Sequence, residues 1–263
     1  MVRLLSGVLL AAAALAAILF LPFMWLRVLA CVVAGLAADE YLRITRRGRT
    51  ASHWGVIAFV VFVCWWEAMP SSGPPFSLIV VTMFILGWLA FEVLNEGRTI
   101  QDAANDLVAL VYVGLPLGML VAIHARTGWK GTVLLIATIV VSDSSQYYSG
   151  RAFGRRPLAP TISPRKTIEG ALGGIVMGTA FVIVAGPFVF PTAPVFARAF
   201  VGLVVVLAGI CGDLFESRLK RLADMKDSSA LIPGHGGVLD RIDALLFAIP
   251  VFYFFLLRGV GGP

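Results

Sequence analysis

The sequence predicts an all-α polytopic integral membrane protein with about nine transmembrane helices. Three observations carry that prediction. Apolar residues make up 59% of the 263 and charged residues only 14%. Runs of about 20 mostly apolar residues, long enough to cross a hydrocarbon core about 30 Å thick, follow one another along the chain. These runs are rich in Ala and Leu and lack the alternation of a membrane barrel; lipid offers the backbone no hydrogen-bond partners, so the spans must be helices.

Hydropathy, read against punctuation, puts the spans near 4–21, 23–38, 54–69, 75–90, 107–123, 131–149, 170–189, 195–212 and 242–257. The opening MVRLLSGVLLAAAALAAIL has the basic start, apolar middle and small residues of a secretory signal. A second apolar run follows almost at once, so the opening is read as a retained first helix. Only Pro22 and its neighbours separate the first two spans, which predicts a tight helical hairpin. The basic run RITRRGR lies between the second and third spans. No soluble domain of ordinary size fits anywhere. The chain is therefore one membrane unit, with N-terminal transmembrane helices over 1–106 and a C-terminal transmembrane region over 107–263.

Orientation follows from the basic residues. With the N-terminus cytoplasmic, sixteen of the 21 Lys and Arg fall on the cytoplasmic side, and Arg27, Arg126, Lys130, Arg198 and Arg258 on the other side or at its helix ends. The positive-inside rule then predicts N-terminus in and C-terminus out. A net charge of +6 and a pI near 9.6 need no nucleic acid, because anionic headgroups and an anionic cytoplasmic substrate account for them. Cys31, Cys64 and Cys211 lie in or beside apolar helices without metal-like spacing, and are read as packing residues. His53 and His124 are expected as surface groups in short loops.

Polar residues near spans carry more information. Asp143 in IVVSDSSQYYSGR and Asp213 in LVVVLAGICGDLFES each lie toward the cytoplasmic end of an apolar run. A carboxylate there is costly unless it faces a cavity or a cation. In GDLFESRLKR, continued as a helix, Asp213, Ser217 and then Lys220 or Arg221 form one polar stripe. Carboxylate, hydroxyl and cations in that order suit a divalent metal with attached phosphates.

The stretch KDSSALIPGHGGVLDRID, Lys226 to Asp243, gathers six ionisable residues in eighteen positions. Gly234, Gly236 and Gly237 around His235 specify a tight turn that lets backbone amides approach a ligand. A helix then reopens with Asp240 and Asp243 three apart on one side and Arg241 beside them. Hard cations such as magnesium favour oxygen ligands and keep substrate phosphate in their shell. In the loop GRAFGRRPLAPTISPRKTIEG, Ser163 before Pro164 reads as an N-cap and first turn. Arg165, Lys166 and Thr167 would then gather at a helix N-terminus, where free amides and the dipole attract phosphate. No Walker-type GxxxxGK is present.

These residues resemble the phosphatidate cytidylyltransferase (CDP-diacylglycerol synthase) family. The resemblance rests on SRLKRLADMKDSSALIPGHGGVLDRID, Ser217 to Asp243, on Gly212 and Asp213 upstream, and on SDSSQYYSGRAFGRR and ISPRKTIEG. It covers roughly the C-terminal half; the N-terminal spans match in number and character only. The family usually has an Ala-Tyr pair where this chain has Gln146 and Tyr147, and often Ser where it has Ala244.

The resemblance implies attack of a phosphatidate oxygen on the α-phosphorus of CTP, giving CDP-diacylglycerol and pyrophosphate, in a site at the cytoplasmic interface of a bacterial-type inner membrane. It implies magnesium, alone or with a second metal ion, and a homodimer. Asp213 and Asp240 are the expected metal ligands, with Asp243 and Ser217 completing or orienting the shell. Lys220, Arg221, Lys226 and Arg241 are expected on phosphates, Lys166 and the Ser163 helix start on another part of the anionic pair, and Asp227 beside a lysine. His235 would donate to phosphate or stabilise the turn. Two rivals are a CTP-dependent polyprenol or phytol kinase and a transporter of an anionic solute. The complete KD...PGHGG.LDR.D motif argues against the first, and charges gathered at helix ends rather than mid-membrane argue against the second.

Overall fold

A chain that must satisfy its backbone in lipid closes every hydrogen bond within helices and confines irregular structure to the joints. The computed structural model describes residues 2–45, 52–69, 82–83, 86–88, 99–229, 231 and 236–259. Its helices are α1 (Val2–Phe20), α2 (Phe23–Thr45), α3 (Ser52–Glu67), α4 (Ile100–Thr127), α5 (Trp129–Phe153), α6 (Ile168–Ala185), α7 (Val195–Leu222) and α8 (Leu239–Leu257). Each coincides with one expected span, while the span expected at 75–90 falls almost wholly outside the described residues. Among the described residues, Ile100–Thr127, Ile168–Phe188 and Val195–Leu222 are long and apolar enough to cross a bilayer. The protein is a polytopic helical membrane protein. The described chain forms two compact units, Met1–Arg126 with Asp227–Asp240 and Thr127–Lys226 with Arg241–Pro263. The expected division at 106/107 lies inside α4.

In the first unit the reversal between α1 and α2 is as short as the sequence implies, with the Trp25 N–H bonded to the Pro22 carbonyl at 2.9 Å. The hairpin packing is not made along 11–16, which are exposed on every side. An all-Ala and Leu surface has no groove to prefer a neighbour over lipid. Between α3 and α4 the packing is close, because a Cβ at Gly118 would lie 2.5 Å from the Glu67 Cβ and 2.8 Å from the Cys64 carbonyl. A π-helical turn, Leu110–Gly114, widens α4 where it meets α3. Arg27, counted among the charges of the far side, is instead 6% exposed. Its guanidinium donates to the Trp65 carbonyl at 2.8 Å and lies 3.6 Å over the Trp65 ring, which removes the charge from lipid. His53 is likewise no surface group. It is 1% exposed within α3, its Nε2 2.8 Å from Asp39 Oδ1, and Asp39 also pairs with Arg43. His124 lies within α4 rather than in a loop. Cys31 and Cys64 are buried as expected, whereas Cys211 is exposed.

In the second unit α6 packs between α5 and α7 along a seam of glycines. A Cβ at Gly174 would fall 2.4 Å from Gln146 Cγ, and one at Gly178 would fall 2.6 Å from Val206 Cγ2. Ala171, Val206 and Ile210 form the buried centre of this layer.

The connection from α5 to α6 corrects one expectation. Ser163–Thr167 is a strand, β2, not a helix start; it pairs antiparallel with β1 (Pro157–Ala159), Pro157 opposite Thr167 and Ala159 opposite Ser163. A residue before proline is pushed out of the α region toward extended backbone, so Ser163-Pro164 favours a strand as strongly as it favours a cap. The helix begins one turn later, where the Thr167 Oγ1 accepts the Gly170 N–H at 3.1 Å. Glu169 then reaches back to accept the backbone N–H groups of Arg155 and Arg156 at 3.0 and 3.2 Å.

Candidate active site

The GD pair on α7 shows how sequence builds the site. A Cβ at Gly212 would lie 2.5 Å from the carbonyl oxygen of Asp243 and 3.1 Å from Phe247 Cβ. Only glycine lets α7 and α8 approach this closely, and the approach brings Asp243 beside Asp213. Asp143, on α5, joins them. Asp143 and Asp243 both feel the negative charge of Asp213, and Asp243 also that of Asp143.

Cations counter this acidity from two directions. Lys166, on β2, forms an ion pair with Asp213 and also attracts Asp143. Lys220 pairs with the fully buried Glu216 one turn before it on α7, and its charge reaches Asp243. Ser217 Oγ lies 3.4 Å from Asp213 Oδ1, completing the polar stripe expected on this helix. Asp243 also accepts the N–H of Ala244 at 2.8 Å.

A cavity of about 640 Å³ opens beside the cluster. Asp143, Ser163, Arg165, Lys166, Thr167 and Asp213 line it, so residues separated by up to 70 positions surround one space. The sequence reading omitted three further polar side chains of its wall, Gln146, Tyr147 and Arg151. Gln146 Nε2 donates to Asp143 Oδ1 at 3.0 Å and Arg151 Nη1 lies 3.4 Å from the Tyr147 hydroxyl. Their sequence signal was the spacing 143, 146, 147 and 151, one helix face followed for two turns.

The signature residues from Asp227 to Asp240 belong to the first unit. Asp240 Oδ2 accepts the Ser228 N–H at 2.9 Å and the Gly237 N–H at 2.8 Å, and lies 2.9 Å from Ser228 Oγ. Gly236 has φ +78°, a conformation open to glycine, and a Cβ there would meet Asp240 Oδ2 at 2.5 Å. Asp227 is exposed. Gly234 and His235 fall outside the described residues. In the second unit Lys226 and Arg241 are exposed, while Arg221 bonds the carbonyls of Ile162 and Met225, both at 3.3 Å. The sequence reading also missed Glu40, which binds this loop through Ser228, Ser229, Val238 and Leu239. The rule that singled out Asp143 and Asp213, a carboxylate near the end of an apolar run, applies equally to it.

A profile of the cytidylyltransferase family matches residues 1–258. The chain belongs to the cytidylyltransferase family. It is a nucleotidyltransferase. The chain is similar to a phosphatidate cytidylyltransferase of Bacillus subtilis (strain 168), 32% identical over 265 residues, covering 97% of this chain and 96% of the relative. Proteins of the same name resemble it at 31% identity in Thermotoga maritima, over 86% of each chain, and at 34% in Haemophilus influenzae, over 97% of this chain and 99% of the relative.

Proposed function

We propose that this cytidylyltransferase moves the cytidylyl group of CTP onto phosphatidate, releasing pyrophosphate and leaving CDP-diacylglycerol in the membrane. The observation that carries the reading is a cavity lined by the carboxylates of Asp143 and Asp213 together with the cations Arg151, Arg165 and Lys166, with Asp243 close enough to feel the charge of both carboxylates. The names of the three relatives supply the acceptor class.

The nucleophile is an anion at neutral pH, so the protein's work is to hold two repelling anions in line. Lys166, Arg165 and Arg151 would bind phosphate oxygens, and the cavity is large enough for a nucleotide-sized ligand. The donor set near Asp213 consists of oxygens only, as magnesium prefers. Magnesium takes one or two carboxylates and completes its shell with phosphate and water. Asp213 with Asp243 or Asp143 would hold it. When bound, such an ion offsets the charge that builds on the leaving pyrophosphate. Asp240, expected as a ligand, is assigned here to shaping the loop, since its Oδ2 already accepts two backbone amides.

We further propose nine spans, a cytoplasmic N-terminus, a cytoplasm-facing site and a homodimer. The experiment is incubation of purified protein with CTP, phosphatidate and magnesium, with lipids read by mass. Label from the α-position of CTP in the lipid supports the reading. Label from the γ-position alone would establish a kinase, and no labelled lipid would remove both.

A further inference from the structure

We propose that Glu40 is a positioning residue for the reaction: a carboxylate from the N-terminal helices that fixes the first turn of α8 and the loop before it. The proposal rests on the functional reading above.

Glu40 lies on α2, just past its expected span, and is 3% exposed. A carboxylate so buried is costly unless its lone pairs are met. Donors from residues 188 to 199 positions away meet them. Oε1 accepts the Ser229 hydroxyl at 2.7 Å and the Val238 N–H at 3.0 Å. Oε2 accepts the Leu239 N–H at 2.7 Å and lies 2.9 Å from Ser228 Oγ. Leu239 is the first residue of α8. The residue before it is Val238, which has no side-chain oxygen to cap the helix. Glu40 therefore supplies from a distant segment both the acceptor and the negative charge that a helix N-terminus calls for.

The fit is tight. A Cβ at Gly237 would lie 2.4 and 2.5 Å from the two Glu40 oxygens and 2.1 Å from Ser228 Oγ, so the loop backbone rests directly on the carboxylate. Ser228 Oγ stands 2.9 Å from both Glu40 Oε2 and Asp240 Oδ2, and its single proton serves one of them at a time. The loop is thus held by Glu40 from outside and by Asp240 from within. The chemical consequence runs along α8 itself. Asp243 follows Leu239 by one turn, so where the helix begins sets where Asp243 stands.

The test is Glu40→Gln, which keeps shape and volume but sets an amide against donors, measured in the whole protein in detergent. We expect kcat to fall about 10- to 100-fold, the cost of losing hydrogen bonds to a charged acceptor, with KM for CTP changed less than about threefold. Amide hydrogen exchange at Val238 and Leu239 should rise while the melting temperature stays nearly constant, and Glu40→Asp should recover part of the activity. A wild-type kcat in Glu40→Gln, or a loss of activity with unchanged exchange at those two amides, overturns the proposal. Should Glu40→Gln not fold, Ser229→Ala removes one donor alone. A several-fold fall in kcat then supports the clamp, and an unchanged kcat overturns it. If the wild-type protein makes no CDP-diacylglycerol the functional reading fails, and exchange in Glu40→Gln still decides whether the clamp exists.

Discussion

Glu40 and Asp213 are carboxylates near the ends of apolar helices, and their surroundings differ in kind. Glu40 is buried and receives backbone N–H groups and hydroxyls on both oxygens. Asp213 is partly exposed, lends its negative charge to the surroundings of Asp143 and Asp243, and is offset by Lys166 and a long contact from Ser217. A carboxylate saturated by fixed backbone donors is held for structure, because exchanging any partner leaves a buried group unmet. Carboxylates that repel one another beside a cavity, countered by lysine ion pairs, can trade those partners for a cation or a phosphate without such a penalty. Polar context, more than position along the helix, separates the two roles.

The comparison can be broken most sharply at Asp213. Asp213→Asn should lower CTP-dependent product formation by about 10²- to 10³-fold, the scale of losing a main electrostatic group. Its melting temperature should hardly change, since the substitution gives up one partly exposed ion pair and also relieves two repulsions. A large drop in melting temperature would show that the cluster is structural after all. Next comes Asp240→Asn. As a loop residue it should cost about tenfold in activity, with raised exchange at Gly237. A loss equal to that of Asp213→Asn, with the exchange unchanged, would move Asp240 into the ion-binding group. Gly212→Ala should reduce stability by about 1–3 kcal/mol through overpacking against Asp243 and lower activity with it, read by denaturation in detergent. The smallest effect is expected of Gln146→Ala, which removes one hydrogen bond to Asp143. It is worth about 1 kcal/mol, a several-fold change in kcat/KM with unaltered stability.

Much of this was legible in the sequence. Eight of the expected spans coincide with helices because a bilayer imposes length and apolarity on each segment locally. Asp143, Asp213 and the basic residues of the 150–169 loop stood out as charges the apolar context did not explain. Ser163 was misread because one dipeptide, Ser-Pro, serves both a helix cap and an extended strand, and pairing with Pro157–Ala159 decided between them. Arg27 and His53 looked like boundary groups, and their partners, Trp65 and Asp39, lie on neighbouring helices that only packing brings close.

The sequence by itself determined a many-helix membrane enzyme, its signature loop and the acidic and basic residue types its chemistry needs. The tertiary structure alone decided which carboxylates gather at the cavity and which is locked under the loop. Span formation depends on neighbours along the chain, whereas the role of a charge depends on the donors around it. For Glu40 those donors arrive from the far end of the sequence.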